Sequence, residues 1–350
     1  MSGGVDSSVA VALLKKDGYD VIGVHMVCWD GCENSADRRD AMKVAAFLDI
    51  PFETWDFREE YKKEVYGYMI REYSEGRTPN PDVMCNKQIK FGVFLKKALE
   101  NGADFIATGH YVSAKSHKAF QDCESSSKAH KILLYQAKDQ NKDQSYFLWT
   151  LTQDQIKYCL FPIGDYLKSE VRELAAKFGL PTSEKKDSQG LCFVGKVDFL
   201  DFLSEKLPQK TVAILNSDGM KIGEHRGAHL FTIGQRHGLE VGGQENPVYV
   251  TKKNVSTNTI IVAEDKNEAL YKKEIELRDV NWISQPAQEC LARIRYRQPL
   301  QKAQIYKLST MDYKLIFDVP QRAVAQGQSV VFYTTEGEVL GGGIISNIVI

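Results

Sequence analysis

The chain has 350 residues, 45 Lys and Arg against 46 Asp and Glu, a net charge of −1, and is 43% hydrophobic and 26% charged. That is the composition of an ordinary soluble globular protein with room for two or three domains. It excludes a global positive field as the means of holding nucleic acid, which leaves local patches to do so. It also offers no apolar run of eighteen residues to span a membrane. Seven cysteines are too few and too scattered for a disulfide framework and point to a reducing compartment. The N-terminus has no basic stretch leading into an apolar leader. A cytoplasmic location is expected; an organellar one stays open because the start of the chain is abrupt.

The first element is that abrupt start. Ser2-Gly3-Gly4-Val5-Asp6-Ser7-Ser8 precedes an apolar helical run that ends near Gly18. Two glycines let backbone N–H groups approach a ligand, two hydroxyls add donors, and the following helix N-terminus favours an anion. A Walker loop would carry a Gly-Lys-Ser/Thr lysine, and none is present. The heptad resembles instead the pyrophosphate (PP) loop of enzymes that cleave ATP between the α- and β-phosphates. Such a loop is normally fed by a buried strand, so a first strand is expected to be missing ahead of residue 2.

Residues 21–27 then read as a strand, 37–48 as a helix, 52–57 as a strand and 62–74 as a helix. A break at 76–81 precedes a helix over 88–101 and a strand over 104–108. This alternation predicts a doubly wound parallel α/β sheet with its ligands beyond the strand C-termini. Residues 113–130 read as a polar loop or hairpin tip, and 153–178 as two helices around Pro162-Ile163-Gly164. Short strands and glycine turns follow. The expected division is an ATP-binding catalytic domain over 1–205, a small β-rich domain over 206–274 and an antiparallel β-barrel over 275–350.

Two segments carry candidate chemistry. In Gly76-Arg77-Thr78-Pro79-Asn80-Pro81-Asp82-Val83-Met84-Cys85-Asn86, two prolines stiffen a loop that delivers a cysteine to a helix N-terminus, where a thiolate is favoured. Asp82 stands nearby as a proton carrier. In Lys185-Lys186-Asp187-Ser188-Gln189-Gly190-Leu191-Cys192-Phe193-Val194-Gly195, a second cysteine lies on a glycine-flanked loop behind two lysines. Two reactive cysteines beside an ATP-cleaving loop suggest sulfur transfer, one bearing a persulfide and the other resolving it. The same thiolates would suit an iron–sulfur cluster. Arg293, Arg295 and Arg297 alternate as if on one strand face, a candidate phosphate track. Cys28 and Cys32 have metal-ligand spacing but no second pair, and read as structural. Cys123, Cys159 and Cys290 receive no role.

Taken with Ala107-Thr108-Gly109-His110-Tyr111, Lys142-Asp143-Gln144-Ser145-Tyr146-Phe147-Leu148 and Phe231-Thr232-Ile233-Gly234-Gln235-Arg236, these motifs make the chain resemble the tRNA-specific 2-thiouridylases over nearly its whole length. The resemblance implies that Ser2, Gly3, Gly4, Val5, Asp6, Ser7, Ser8, Met26 and Gly109 contact ATP, with Mg2+ as its counter-ion. It implies that Asn80, Pro81 and Asp82 face the target base, Asp82 as acid and base. Cys192 would carry the persulfide and Cys85 would form a disulfide with it. His110, Lys142, Asp143, Gln144, Arg295, Tyr296 and Gln328 would contact tRNA, and a persulfide donor or relay protein would be the second partner. Two rival readings are a different adenylating enzyme on tRNA, of lysidine-synthase type, and a tRNA-binding protein with an inactive ATP site.

Overall fold

The computed structural model describes residues 1–30, 34–117, 131–186, 210–239, 241–243 and 245–348. Helix α1, Val5–Lys16, buries Val5, Val9, Ala10, Ala12 and Leu13 and places Lys15 and Lys16 in its last turn, where they complement the helix dipole. Gly18, at φ +89, takes the left-handed conformation that ends it. Strand β1, Gly23–Val27, crosses through α2, Asn34–Phe47, to β2, Phe52–Asp56, which lies parallel to it. α3, Arg58–Tyr61, runs through a π-helical stretch into α4, Gly67–Ser74.

The helix expected from residue 88 begins seven residues earlier. Pro81 occupies its first turn, where a missing N–H costs nothing, and the Asn80 side chain caps it by accepting from Val83 N at 3.3 Å. This α5, Pro81–Met84, continues through a π-helical Cys85–Phe94 stretch into α6, Leu95–Glu100. Then come β3, Ile106–Ala107, and the antiparallel hairpin β4, Val112–His117, and β5, Lys131–Gln136. The region expected to hold two helices around Pro162-Ile163-Gly164 holds α7, Gln153–Ile156, then β6, Cys159–Leu160, and α8, Lys168–Lys177. β6 pairs parallel with β3. The parallel strands of this α/β region thus form two separate pairs, β1–β2 and β3–β6, among the described residues. Met1 lies along β1, its N donating to Val24 O and its carbonyl oxygen 3.0 Å from His25 Nδ1.

Strands β7, Val212–Leu215, β8, Lys221–His225, β9, Val248–Asn254, and β10, Thr259–Glu264, form a small sheet in the order β8-β7-β10-β9 over Ile214, Val250, Ile260 and Val262. β11, Tyr271–Trp282, β12, Glu289–Arg293, β13, Gln301–Lys307, β14, Tyr313–Arg322, β15, Ser329–Tyr333, and β16, Val339–Ile348, close into an antiparallel barrel. Closure leaves no unpaired edge. The barrel does not stand apart from the α/β domain: Val331, Tyr333, Val339 and Ile344 share one core with Val83, Phe91, Tyr146 and Trp149. Burying each of these large side chains is worth about 1.5–3 kcal/mol, so this seam is a firm one. Gly342 is required there, because a Cβ would come 2.7 Å from the Trp149 ring.

Candidate active site

The phosphate loop is shaped by close backbone approach. Gly3 has φ +73, and a Cβ on it would sit 2.2 Å from Asp37 O. Ser7 and Ser8 hydroxyls donate to Gly4 O at 3.2 and 2.8 Å, which holds the turn that starts α1. Thr182 braces Ser8 through a 3.0 Å hydroxyl contact. From the other side, the loop after β3 presses in: a Cβ on Gly109 would lie 2.8 Å from Asp6 C and Ser7 N. The resemblance-derived residues Ser2 to Ser8 and Gly109 therefore come together at one helix N-terminus. Met26, on β1, is partly buried against the neighbouring cluster that contains Cys28 and Cys85.

The lysine absent from the loop's own sequence is supplied from elsewhere. Lys168, the first residue of α8, places Nζ 2.6 Å from Asp6 Oδ1, and Tyr111 OH donates to the same oxygen at 2.8 Å. Lys168 is 13% exposed and Asp6 34%, so the pair stands at the mouth of the loop, half out of water. Its backbone N–H is held by Asp139 Oδ2 at 2.9 Å. Nothing in the local sequence of Lys168 marks it, because the element it opens reads as an ordinary amphipathic helix.

Asp82 and Cys85 lie on adjoining positions of the same helical face, one turn apart. Cys85 is fully buried, packed with Cys28, Phe57, Tyr61, Val65 and Ile89. Cys192, with the rest of its glycine-flanked loop, lies outside the described residues, as do Cys32 and Cys123. Lys185, the first of the two lysines ahead of the Cys192 loop, bridges Asp37 at 2.8 Å and Asp40 at 2.7 Å. Among the described residues no three His, Cys, Asp or Glu side chains gather as a metal site.

The residues expected to touch tRNA occupy two kinds of place. The Tyr296 ring lies tilted against Phe147 at the seam, centroids 4.6 Å apart, partly buried, and Lys142 is likewise partly exposed. The others are inward ties. Asp143, 1% exposed, accepts from Ala137 N, Ser145 N and Oγ and Gln136 Nε2 within 3.0–3.2 Å, with Arg293 NH1 at 3.6 Å. Gln144 pairs with the Tyr111 backbone in both directions at 2.8 and 2.9 Å. Arg295 donates to Ile233 O and Ala323 O, joining the small sheet to the barrel, and its burial lowers its pKa. His110 is buried between Phe91 and Phe161 with Nδ1 2.8 Å from Thr108 Oγ1. Burial, and then the Lys90 charge, push its pKa well below the ordinary histidine value.

The three-arginine strand face is not formed. β12 ends at Arg293, which is buried against Asp143, and the chain turns through Arg297 at φ +65. The alternation in sequence was broken by Pro299 just beyond and by the demand of the buried carboxylate for a cation.

Comparison with known proteins gives three consecutive family matches: the tRNA methyl transferase HUP domain over residues 1–196, the tRNA methyl transferase PRC-barrel domain over 200–264, and the aminomethyltransferase beta-barrel domain over 272–345. The chain is 45% identical, over 99% of its own length and 94% of the relative's, to a tRNA-specific 2-thiouridylase of Geobacillus kaustophilus, and equally to one of Geobacillus thermodenitrificans. It is 43% identical to the tRNA-specific 2-thiouridylase of Chlamydia abortus over 99% of this chain and 95% of that one. No helix among the described residues is long and apolar enough to cross a membrane.

Proposed function

Because the chain belongs to the tRNA-specific 2-thiouridylase family, we propose that it uses ATP to replace the 2-oxygen of the wobble uridine of tRNA with sulfur. The observation that carries this reading is the meeting of Gly109, Asp6 and Lys168 at the α1 N-terminus. A uridine 2-carbonyl oxygen leaves poorly. Transferring AMP to it, with pyrophosphate departing into the loop, makes a good leaving group. The loop N–H groups and the Lys168 ammonium would meet the charge on the departing pyrophosphate. Mg2+, when bound, would neutralise phosphate charge; the donor set fits an ion carried mainly by ATP itself, with Asp6 as the carboxylate the loop supplies.

The uridine has to leave its stack for its 2-position to enter the site. Asn80 and Pro81, fixed as cap and first turn of α5, would face the base, and Asp82 would move the proton. Cys192 would carry the sulfur as a persulfide received from a donor protein. Cys85 would attack Cys192 Sγ, forming the disulfide and releasing the outer sulfur as sulfide. That sulfide forms the C2–S bond as the C2–O bond breaks and AMP leaves with the oxygen. Two equivalents of an external thiol, or one dithiol, then reduce the disulfide and are themselves oxidised to a disulfide.

The test incubates the protein with ATP, Mg2+, a persulfide donor and unmodified tRNA. Wild type should yield 2-thiouridine and AMP, while Cys85→Ala and Cys192→Ala should each lose 2-thiouridine. Full 2-thiouridine from both single variants would refute the roles given to the two cysteines; AMP release by wild type with no 2-thiouridine would favour the lysidine-synthase type of chemistry; RNA binding with no AMP or pyrophosphate release would leave only an inactive ATP site.

A further inference from the structure

The segment that leads into α5 is gripped by the other two parts of the molecule. Gln328 Nε2, from the barrel turn before β15, donates to Thr78 O at 2.9 Å and to Pro79 O at 3.1 Å. Thr78 N in turn donates to Gln326 O at 2.8 Å. The approach is close enough to demand glycine at 327, where φ is +88 and a Cβ would lie 2.9 Å from Thr78 O and 3.0 Å from Thr78 N. Thr78 Oγ1 also meets Thr232 Oγ1 of the middle region at 3.2 Å.

One residue further back, Arg77 makes two hydrogen bonds to the buried Glu72 carboxylate at 2.6 and 2.8 Å, and Arg278 of β11 reaches the same carboxylate at 3.2 Å. Burial opposes the Glu72 charge, but the Arg77 hydrogen bonds and the arginine charges outweigh it, so its pKa is held low. Both partners of Gln328 are carbonyl oxygens, so its NH2 side must face them. These carbonyls belong to the two residues immediately before Asn80, and Asn80 is the cap that fixes where Asp82 and Cys85 point.

We propose that Gln328 is a positioning residue: through the Thr78 and Pro79 carbonyls, the barrel sets the orientation of the Asn80–Cys85 turn, so that tRNA seated on the barrel is coupled to the reacting groups. The catalytic half of this inference rests on the function proposed above; the geometric half does not. Replacement by Met keeps the length and removes both donors; replacement by Glu puts negative oxygens against two carbonyls.

The experiment compares wild type, Gln328→Met and Gln328→Glu in three readouts: single-turnover thiolation at saturating tRNA, the tRNA Kd, and the rate at which a small alkylating reagent labels Cys85 in the protein alone, mapped by mass spectrometry. Cys290, partly buried in the barrel wall, serves as the internal reference for general loosening. For both variants the expected result is a tenfold or greater loss of the single-turnover rate and a threefold or greater rise in Cys85 labelling at constant Cys290 labelling. The tRNA Kd of Gln328→Met should stay within threefold of wild type. A loss of tRNA affinity with an unchanged saturated rate would overturn the proposal, since Gln328 would then be a contact alone. Unchanged Cys85 labelling, or a parallel rise at Cys290, would overturn it too. The labelling arm needs no turnover, so a wild type that fails to thiolate would count against the proposed function without touching the positioning role.

Discussion

Removing the Lys168 ammonium separates a chemical role for the Lys168–Asp6 pair from a structural one. Lys168→Met keeps most of the side-chain volume and deletes the charge 2.6 Å from Asp6 Oδ1. A charge-assisted hydrogen bond is worth about 1.5–3 kcal/mol. Here Asp6 is 34% exposed and keeps the Tyr111 hydroxyl at 2.8 Å, so solvent screening brings the expected stability loss down to about 1 kcal/mol. The catalytic loss should be larger. A preorganised cation facing the departing pyrophosphate acts on charge that develops in the transition state, and losing such a group costs about 2.7–4 kcal/mol, or about 10²–10³-fold in rate. The assay is AMP formation at saturating ATP, Mg2+ and tRNA, with a denaturant titration alongside. Lys168→Arg, which keeps the charge, should recover much of the rate. If Lys168→Met turns over within threefold of wild type while stability falls by about 1 kcal/mol, Lys168 is a pin for the loop and the leaving-group argument is wrong.

Gly109→Ala should weaken ATP binding at least tenfold with the tRNA Kd little changed, because the new Cβ would lie 2.8 Å from the backbone of Asp6 and Ser7; isothermal titration with both ligands checks it, and unchanged ATP affinity would show that the loop can yield. His25, His110, His225 and His229 are all buried with pKa values lowered chiefly by burial. The unfolded chain therefore binds protons that the folded chain refuses. Stability should be full above about pH 6.5 and fall as pH drops below it, by up to about 1.4 kcal/mol per pH unit for each histidine. Urea titrations from pH 7.5 to 5.5 would contradict this if the midpoint stayed level or rose.

The phosphate loop was legible because glycines, hydroxyls and a helix start are consecutive in sequence, and the closed barrel because its strands are long and its turns are marked by Gly and Pro. β6 was not: two residues, Cys159 and Leu160, pair with β3 inside a stretch whose apolar pattern also fits a helix. The start of α5 was missed because Pro81 reads as a breaker, whereas at a first turn it is an opener. Lys168 reaches Asp6 across 162 residues, a separation over which no local pattern carries information. Arg293 reads in sequence as part of an alternating phosphate track, and the resemblance implies a tRNA contact at Asp143. Their burial follows from pairing with each other at the domain seam, which only the assembled fold reveals.

In the proposed reaction ATP activates the uridine 2-oxygen itself. Unmodified tRNA carrying 18O at the 2-position of its wobble uridine, converted in a single turnover with ATP, Mg2+ and a persulfide donor, should deliver one 18O atom into the phosphate of AMP for each 2-thiouridine formed. AMP without label, or label lost to water while 2-thiouridine accumulates, would contradict adenylation at that oxygen.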